Sequence, residues 1–127
     1  MLTRSVGIAA GVCGIAAASL GLPSAPTTDA WGWIIWGREL AHGTLHTAVG
    51  GSPSWKPLPV VFTTLLSALG EHAPEGWLFL SRAFGLAGLV LAYLVARRLA
   101  GRVAGVVAAV ALALSGGWVR GLEHGYS

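Results

Sequence analysis

Three long apolar runs, at residues 5–22, 76–96 and 103–119, constrain the fold of this chain more than any other feature. Each run is close to the length a helix needs to cross a hydrocarbon core of roughly 30 Å. Charged residues make up 10% of the chain, whereas about 25% is usual in soluble domains. The sequence therefore predicts an all-α polytopic membrane protein, one membrane domain over residues 1–127, with three transmembrane helices.

The distribution of basic residues predicts the orientation in the membrane. The turn 97–102 between the second and third runs contains Arg97, Arg98 and Arg102. Positive residues are retained on the cytoplasmic side, so we expect this turn and the N-terminus, with its Arg4, to be cytoplasmic in the cell membrane. Segments 23–75 and 120–127 are then extracytoplasmic. Residues 1–22 also fit a cleavable signal peptide, which the sequence leaves as an alternative.

The long first extracytoplasmic loop, residues 23–75, is predicted to carry two short interfacial helices. The first lies near residues 30–42, with Thr27 or Thr28 as its N-cap. The second lies near residues 58–69, an apolar run too short to span a bilayer comfortably.

The first of these helices is rich in tryptophan and begins beside an acid. Its tryptophans are Trp31, Trp33 and Trp36, and Asp29 precedes them. Tryptophan favours the membrane–water boundary, where its ring contacts lipid and its N–H stays hydrated. We therefore expect Asp29 to lie in water at the outer surface of the membrane, within reach of a lipid-linked phosphate.

Four pieces of the sequence, in this order, resemble a known family. They are Thr28-Asp29-Ala30-Trp31, Trp55-Lys56-Pro57-Leu58 with its short helix closed by Gly70, Ser81-Arg82, and Tyr93-Leu94-Val95-Ala96-Arg97-Arg98-Leu99-Ala100-Gly101-Arg102. This order is similar to the N-terminal part of the polytopic GT-C glycosyltransferases of the protein-mannosyltransferase and aminoarabinose-transferase type, which are frequent in actinobacteria. The resemblance covers essentially all of this chain and about the first quarter of a full-length member.

The resemblance implies transfer of a sugar from a polyprenyl-phosphate donor to an acceptor on the extracytoplasmic face, with inversion. It implies that Asp29 is the catalytic acid of the first outer loop, which takes the proton of the acceptor hydroxyl. Members often carry Glu directly after this Asp, whereas here Ala30 follows. An equally weighted alternative is that Asp29 only caps the helix that follows it.

Basic side chains are expected to hold the donor phosphate, because the departing phosphate gains negative charge. The candidates are Lys56, Arg82 and Arg38. Each has an alternative: Lys56 as a surface lysine at the headgroups, Arg82 in contact with Glu71 or Glu75 of the outer loop, and Arg38 paired with Glu39 or Asp29. Residues that could line the same cavity are Trp31, Glu123 and His124.

Metal and nucleotide chemistry receive little support from the sequence. Glu39, His42 and His46 could share a helix face and bind a metal, but Gly43 weakens the helix there, so we expect no metal site in the chain. A divalent metal in the reaction remains open, and no other cofactor is predicted. No Walker-type phosphate loop or dinucleotide-binding glycine motif is present. The pI near 9.8 follows from the cytoplasmic turn and implies no nucleic-acid partner.

The main rival hypothesis is non-catalytic: a small integral membrane protein, or a fragment of a transporter or assembly subunit. In either case the predicted partners include the lipid bilayer and the remaining spans of a longer chain or of a partner subunit. The enzymatic interpretation adds a polyprenyl-phosphate-linked sugar, and it makes this chain the N-terminal portion of a longer enzyme.

Overall fold

The computed structural model describes residues 2–46 and 54–124, and every regular element in these two ranges is helical, which confirms the all-α class. The elements are α1 (Leu2–Ser19), α2 (Thr28–Ala41), α3 (Pro57–Leu66), a 3-10 segment (Ser67–His72), α4 (Ala73–Ala113) and α5 (Gly116–His124).

The two loop helices form, and they pack tightly on each other. Thr27 is the N-cap of α2, where its side chain accepts a hydrogen bond from the Ala30 amide at 3.3 Å. Where α2 crosses α3, the Thr63 hydroxyl donates to the Trp33 carbonyl at 2.6 Å. A Cβ on Gly37 would lie 2.4 Å from the Thr63 carbonyl carbon, so only glycine permits this approach.

The main hydrophobic core lies between these loop helices and the first turns of α4. Its buried members are Ala30, Trp33, Ile34, Trp36, Val60, Ala73 and Trp77. The Trp33 and Trp77 rings meet edge to face with centroids 5.8 Å apart. Trp33 and Trp36 are 1% and 4% exposed because α3 and α4 cover that side of α2, so these two rings pack against other helices. Trp31 is 43% exposed.

The predicted turn after the second apolar run is present, but it is shorter than the six residues expected. Within α4, only Ala100 (φ −138°, ψ 15°) and Gly101 (φ 87°, ψ 179°) leave the helical region. The chain reverses there. The close approach of Gly105 to Tyr93 shows this, since a Cβ on Gly105 would come within 2.8 Å of the Tyr93 carbonyl oxygen. Residues 73–99 and 102–113 thus form the two arms of a helical hairpin, which we call the α4 hairpin.

The third predicted span, residues 103–119, is not one helix, and that prediction is wrong. The second arm of the α4 hairpin ends at Ala113, after 12 residues or about 18 Å, and α5 begins at Gly116. Ser115 produces the break: its hydroxyl donates to the Leu112 carbonyl, and two glycines follow it. The Trp118 indole then donates to the Gly85 carbonyl at 3.2 Å, which holds α5 against the first arm.

One helical stretch in the described ranges, Pro57–Ala113, is long and apolar enough to cross a membrane by length and composition. It combines α3, the 3-10 segment and α4, and its glycines Gly70 and Gly101 have positive φ. The apolar helix of residues Ser5–Ser19 is shorter. It belongs to α1, which packs along α4.

Candidate functional site

Arg82 lies at the junction of three elements and is only 5% exposed. It stands nine residues inside α4, and its guanidinium makes four hydrogen bonds to α1, to the segment after α1 and to α5. Nε donates to the Leu122 carbonyl (3.0 Å), Nη1 to the Ser19 carbonyl (2.6 Å) and hydroxyl (3.2 Å), and Nη2 to the Ser24 hydroxyl (2.5 Å). This side chain therefore joins the ends of two helices.

The two carbonyls that Arg82 contacts belong to the C-terminal ends of α1 and α5. Such carbonyls have no partner within their own helix, and a helix C-terminus carries partial negative charge. The partial negative charge of these carbonyls therefore favours a positively charged side chain at this point. A guanidinium has five N–H donors, so one donor on Nη2 remains beyond the four hydrogen bonds.

Arg82 makes no ion pair in residues 2–46 and 54–124, where the ion pairs within 4.0 Å are His46–Glu39 and His124–Glu123. The expected contact with Glu71 or Glu75 is therefore wrong. Glu75 precedes Arg82 by seven residues, about 10 Å along the helix axis, which places it near the beginning of α4.

A groove of about 500 Å³ opens beside Arg82. Its lining comes from α1, the segment after it, α4 and α5, and consists of Ile15, Ser19, Leu22, Pro23, Ser24, Arg82, Leu86, Leu122, Glu123 and His124. The predicted cavity residues Glu123 and His124 thus border the groove of Arg82. The guanidinium, the hydroxyls and the imidazole can bind an anionic head joined to an apolar chain, whereas the Glu123 carboxylate at the same groove opposes an anion close to it.

Asp29 follows Thr27 by two residues, and Thr27 contacts His124, one of the residues that line this groove. The Thr27 amide donates to the His124 carbonyl at 3.0 Å, which anchors the beginning of α2 to α5. Asp29 itself is half-buried in the first turn of α2, and it makes no hydrogen bond or ion pair with any other described residue. Thr27 makes the side-chain cap, as expected, and Asp29 is the acid of the first turn, so its position also fits the alternative role at the positive end of the helix. The helix N-terminus still favours its negative charge.

Lys56 is held over an aromatic ring one helical turn away from Asp29. Its Nζ lies 4.9 Å from the centroid of the Trp33 ring, a cation–π contact. Trp33 follows Asp29 by four residues, so the two side chains share a face of α2. Asp29 itself makes no hydrogen bond or ion pair with Arg82 or Lys56: its sequence neighbour Thr27 contacts α5, and Trp33, four residues after it, contacts Lys56.

The structure does not bring Arg38 and Trp31 to these residues. Arg38 is nine residues after Asp29, about 14 Å along the axis of α2, and its Nη2 donates to the Gly70 carbonyl at 3.4 Å. The expected pairing of Arg38 with Glu39 or Asp29 is wrong, because Glu39 instead accepts a hydrogen bond from the His46 amide at 2.9 Å. Trp31, two residues after Asp29, does not line the Arg82 groove.

The described ranges contain no group of three or more His, Cys, Asp or Glu side chains arranged to hold a metal ion. His42 is engaged elsewhere, since its Nδ1 lies 2.7 Å from the Arg38 carbonyl oxygen. His46 contacts Glu39, with 3.9 Å between Nδ1 and Oε1.

Sequence reasoning missed the groups that hold Arg82. Ser19 and Ser24 flank Pro23 at the end of the first apolar run, and a hydroxyl at such a boundary is a weak signal that could have been read. The backbone carbonyls of Ser19 and Leu122 carry no signal in the sequence, because any residue would supply them.

No family model, curated protein or solved structure matches this chain. Its function is therefore inferred from the contacts described above and from the ordered resemblance of its four sequence pieces.

Proposed function

We propose that this chain is the donor-side portion of a membrane glycosyltransferase that transfers a sugar from a polyprenyl-phosphate to an acceptor on the extracytoplasmic face. The observation that carries the proposal is Arg82: a buried guanidinium with one unused donor and no ion pair within 4.0 Å among the described residues, in the wall of a groove of about 500 Å³. The remaining N–H of Arg82 can donate one charge-assisted hydrogen bond to a phosphate oxygen.

In this proposal Arg82 binds the donor phosphate and Lys56 supplies a second positive charge. Asp29 removes the proton of the acceptor hydroxyl while the hydroxyl oxygen attacks the anomeric carbon. The bond from the anomeric carbon to the phosphate oxygen breaks, the electron pair leaves with the polyprenyl phosphate, and the anomeric configuration inverts. The cations stabilise the charge that develops on the departing phosphate. A free carboxylate suits this role, and Asp29 has no partner among the described residues.

The proposal places α1 and the two arms of the α4 hairpin in the cell membrane, with a cytoplasmic N-terminus. Arg97 lies 15 residues after Arg82, about 22 Å along the first arm, so the arginine turn and the groove fall at opposite ends of it. The second arm alone is too short to span, and α5 would complete the crossing at an angle. Exposed apolar side chains along the hairpin, Leu91, Leu99, Val103 and Val107, leave a surface for further spans of a longer chain or of a partner subunit.

A non-catalytic membrane protein is the second candidate, and the hydrogen bonds of Arg82 favour it. Four bonds to the ends of α1 and α5 and to the segment between α1 and α2 make Arg82 a structural cross-link without any ligand. The two functions differ in whether a lipid phosphate binds at this residue.

Binding of polyprenyl phosphate to the full chain in nanodiscs separates the two candidates. Arg82→Gln is expected to weaken binding by about tenfold to a hundredfold, the value of a charge-assisted hydrogen bond, and Arg82→Lys by less because the charge remains. Arg120→Gln is the matched control, since Arg120 is an exposed arginine of α5 that bonds within its own helix. Equal affinity of wild type and all three variants would favour the non-catalytic protein.

The role of Asp29 is tested by transfer itself, in membranes that contain the protein with any spans that complete it. Asp29→Asn keeps the size and the helix start, because Thr27 remains the cap, but it removes the base. We expect transfer from the polyprenyl-phosphate sugar to fall by about a hundredfold or more. Unchanged transfer by a stably inserted Asp29→Asn protein would exclude Asp29 as the base.

A further inference from the structure

The turn of the α4 hairpin carries three exposed arginines whose guanidinium groups have no hydrogen-bonding partner among the described residues. Arg97, Arg98 and Arg102 are all exposed, and none of their side chains makes a hydrogen bond or an ion pair within residues 2–46 and 54–124. A guanidinium has five N–H donors and stays charged at any ordinary pH. We call residues 97–102 the arginine turn, and it offers permanent positive charge and free donors at one place on the surface.

The sequence places no acid near the arginine turn that could offset its charge. No Asp or Glu occurs between Glu75 and Glu123. Glu75 precedes Arg97 by 22 residues, about 33 Å along the first arm, and Glu123 borders the groove beside Arg82, at the other end of that arm. Charges so far apart are screened by salt. The like charges of the turn repel one another, so an anion that contacts them is favoured.

Apolar and aromatic side chains lie next to these arginines. Leu99, within the turn, is 82% exposed, and Val95, four residues before it on the same face of the helix, is 57% exposed. The Cζ atom of Arg97 lies 5.9 Å from the centroid of the Tyr93 ring, a cation–π contact. That ring is close to the second arm, since a Cβ on Gly105 would come within 2.9 Å of its Cδ2 atom. The surface thus combines cations with exposed hydrocarbon.

We propose that the arginine turn binds the headgroup phosphates of anionic phospholipids, with Val95 and Leu99 in contact with their acyl chains. This binding requires the membrane location proposed above and does not depend on sugar transfer. A guanidinium donates charge-assisted hydrogen bonds to phosphate oxygens, often in pairs. The cytoplasmic leaflet, where the proposed orientation puts the turn, has a negative surface potential.

The exposed hydrocarbon selects a lipid surface over other anions. A nucleic acid or a soluble phosphodiester can accept hydrogen bonds from the same arginines, but it would leave Val95 and Leu99 in water. A zwitterionic phospholipid covers these side chains, but its own ammonium group offsets its phosphate. An anionic phospholipid meets both requirements, since it brings an acyl chain and a net negative charge to one place.

Retention of lipids by the full chain tests this binding. The protein is reconstituted in nanodiscs of equal parts phosphatidylglycerol and phosphatidylcholine, and the lipids that stay bound after its release are counted by native mass spectrometry. We expect the wild-type protein to retain phosphatidylglycerol in excess. In Arg97→Gln/Arg98→Gln the ratio of the two retained lipids should fall about 25-fold, because each arginine near an anionic surface contributes about fivefold in affinity. Arg97→Lys/Arg98→Lys keeps the charge and should lose less.

Arg38→Gln/Arg120→Gln is the matched control, because it removes the same charge from two exposed arginines outside the turn, each of which donates to a backbone carbonyl. It should change the ratio less than about twofold, since these charges are screened from the turn. Equal retention of the two lipids by wild type, or an equal fall in the turn and control variants, would overturn the proposal.

Soluble phosphodiesters separate the lipid surface from its headgroup. The wild-type protein in nanodiscs of phosphatidylcholine alone is offered glycerophosphoglycerol or a single-stranded oligonucleotide, and we expect neither to bind as tightly as phosphatidylglycerol. Equal or tighter binding of either one, lost in Arg97→Gln/Arg98→Gln, would assign the turn to free phosphodiesters or nucleic acid and overturn the lipid proposal. These outcomes leave the Arg82 test of donor binding unaffected, whereas a chain that does not enter nanodiscs would contradict both.

Discussion

Replacement of Arg82 by methionine is expected to detach α5 from the body of the protein. Methionine fills similar space but donates no hydrogen bonds, so the Leu122 carbonyl loses the partner it has now, while the Ser19 carbonyl keeps the Leu22 amide at 3.1 Å. The four lost hydrogen bonds contribute about 0.5–1.5 kcal/mol each, and removal of a buried charge returns part of this. We expect a net loss of about 2–4 kcal/mol in the free energy that holds the three elements together.

The Thr27 amide is a direct probe of this loss, because it donates to the His124 carbonyl of α5. Its hydrogen exchange should accelerate by on the order of a hundredfold in Arg82→Met, as expected for about 3 kcal/mol. Arg120→Met is the control on α5 and should change the exchange less than about threefold, since exposed substitutions cost within about 0.5 kcal/mol. An unchanged Thr27 exchange rate in Arg82→Met would refute the assignment of Arg82 as the residue that holds α5.

Three further substitutions test the packing that positions the site. Gly37→Ala places a Cβ against the Thr63 backbone and should lower the free energy of unfolding by about 1–3 kcal/mol, measured by thermal unfolding in detergent. Gly101→Ala forces a side chain into φ 87° and should cost about 1–3 kcal/mol in the same assay, with loosening of the α4 hairpin seen by spin-label distances across it. Gly88→Ala is the control for both, since its Cβ meets nothing within 4 Å, and an equal loss there would contradict the packing argument. Thr27→Ala removes only the side-chain cap of α2 and should cost about 0.5–2 kcal/mol, so a cost of zero would show that the cap contributes nothing.

Local signals predicted much of the helical layout. The N-cap at Thr27, the proline at Pro57 and the glycine at Gly70 mark boundaries that depend on the residue itself, and the structure places helix ends at or near each of them. The arginine-rich turn was predicted from charge, and Gly101 makes the reversal sterically accessible because its φ is positive.

The sequence did not show which side chains are buried by residues distant in the chain. The α2 tryptophans Trp33 and Trp36 carry the same local signal as Trp31, and only the docking of α3 and α4 decides which are covered. The break after Ala113 had a readable signal, Ser115 followed by two glycines, which the high overall hydropathy of the run obscured.

The sequence predicted which residues belong to the candidate site, but not which groups those residues contact. The sequence predicted Lys56, Arg82 and Asp29 as site residues, and in the structure Lys56 contacts Trp33 and the Thr27 amide contacts His124, while Asp29 makes no hydrogen bond or ion pair with either cation. The contacts of Arg82 could not be predicted, because carbonyl acceptors are independent of side-chain identity.

The central claim, that Arg82 binds a lipid phosphate, is tested most directly by a distance. Dipolar recoupling between ¹⁵N-guanidinium arginine and ³¹P in bilayers that contain polyprenyl phosphate measures how close these nuclei come. We predict that wild-type protein has an arginine nitrogen about 4 Å from a polyprenyl-phosphate phosphorus, and that this signal disappears in Arg82→Gln and persists in Arg120→Gln. A spectrum in which Arg82→Gln is indistinguishable from wild type would contradict the account.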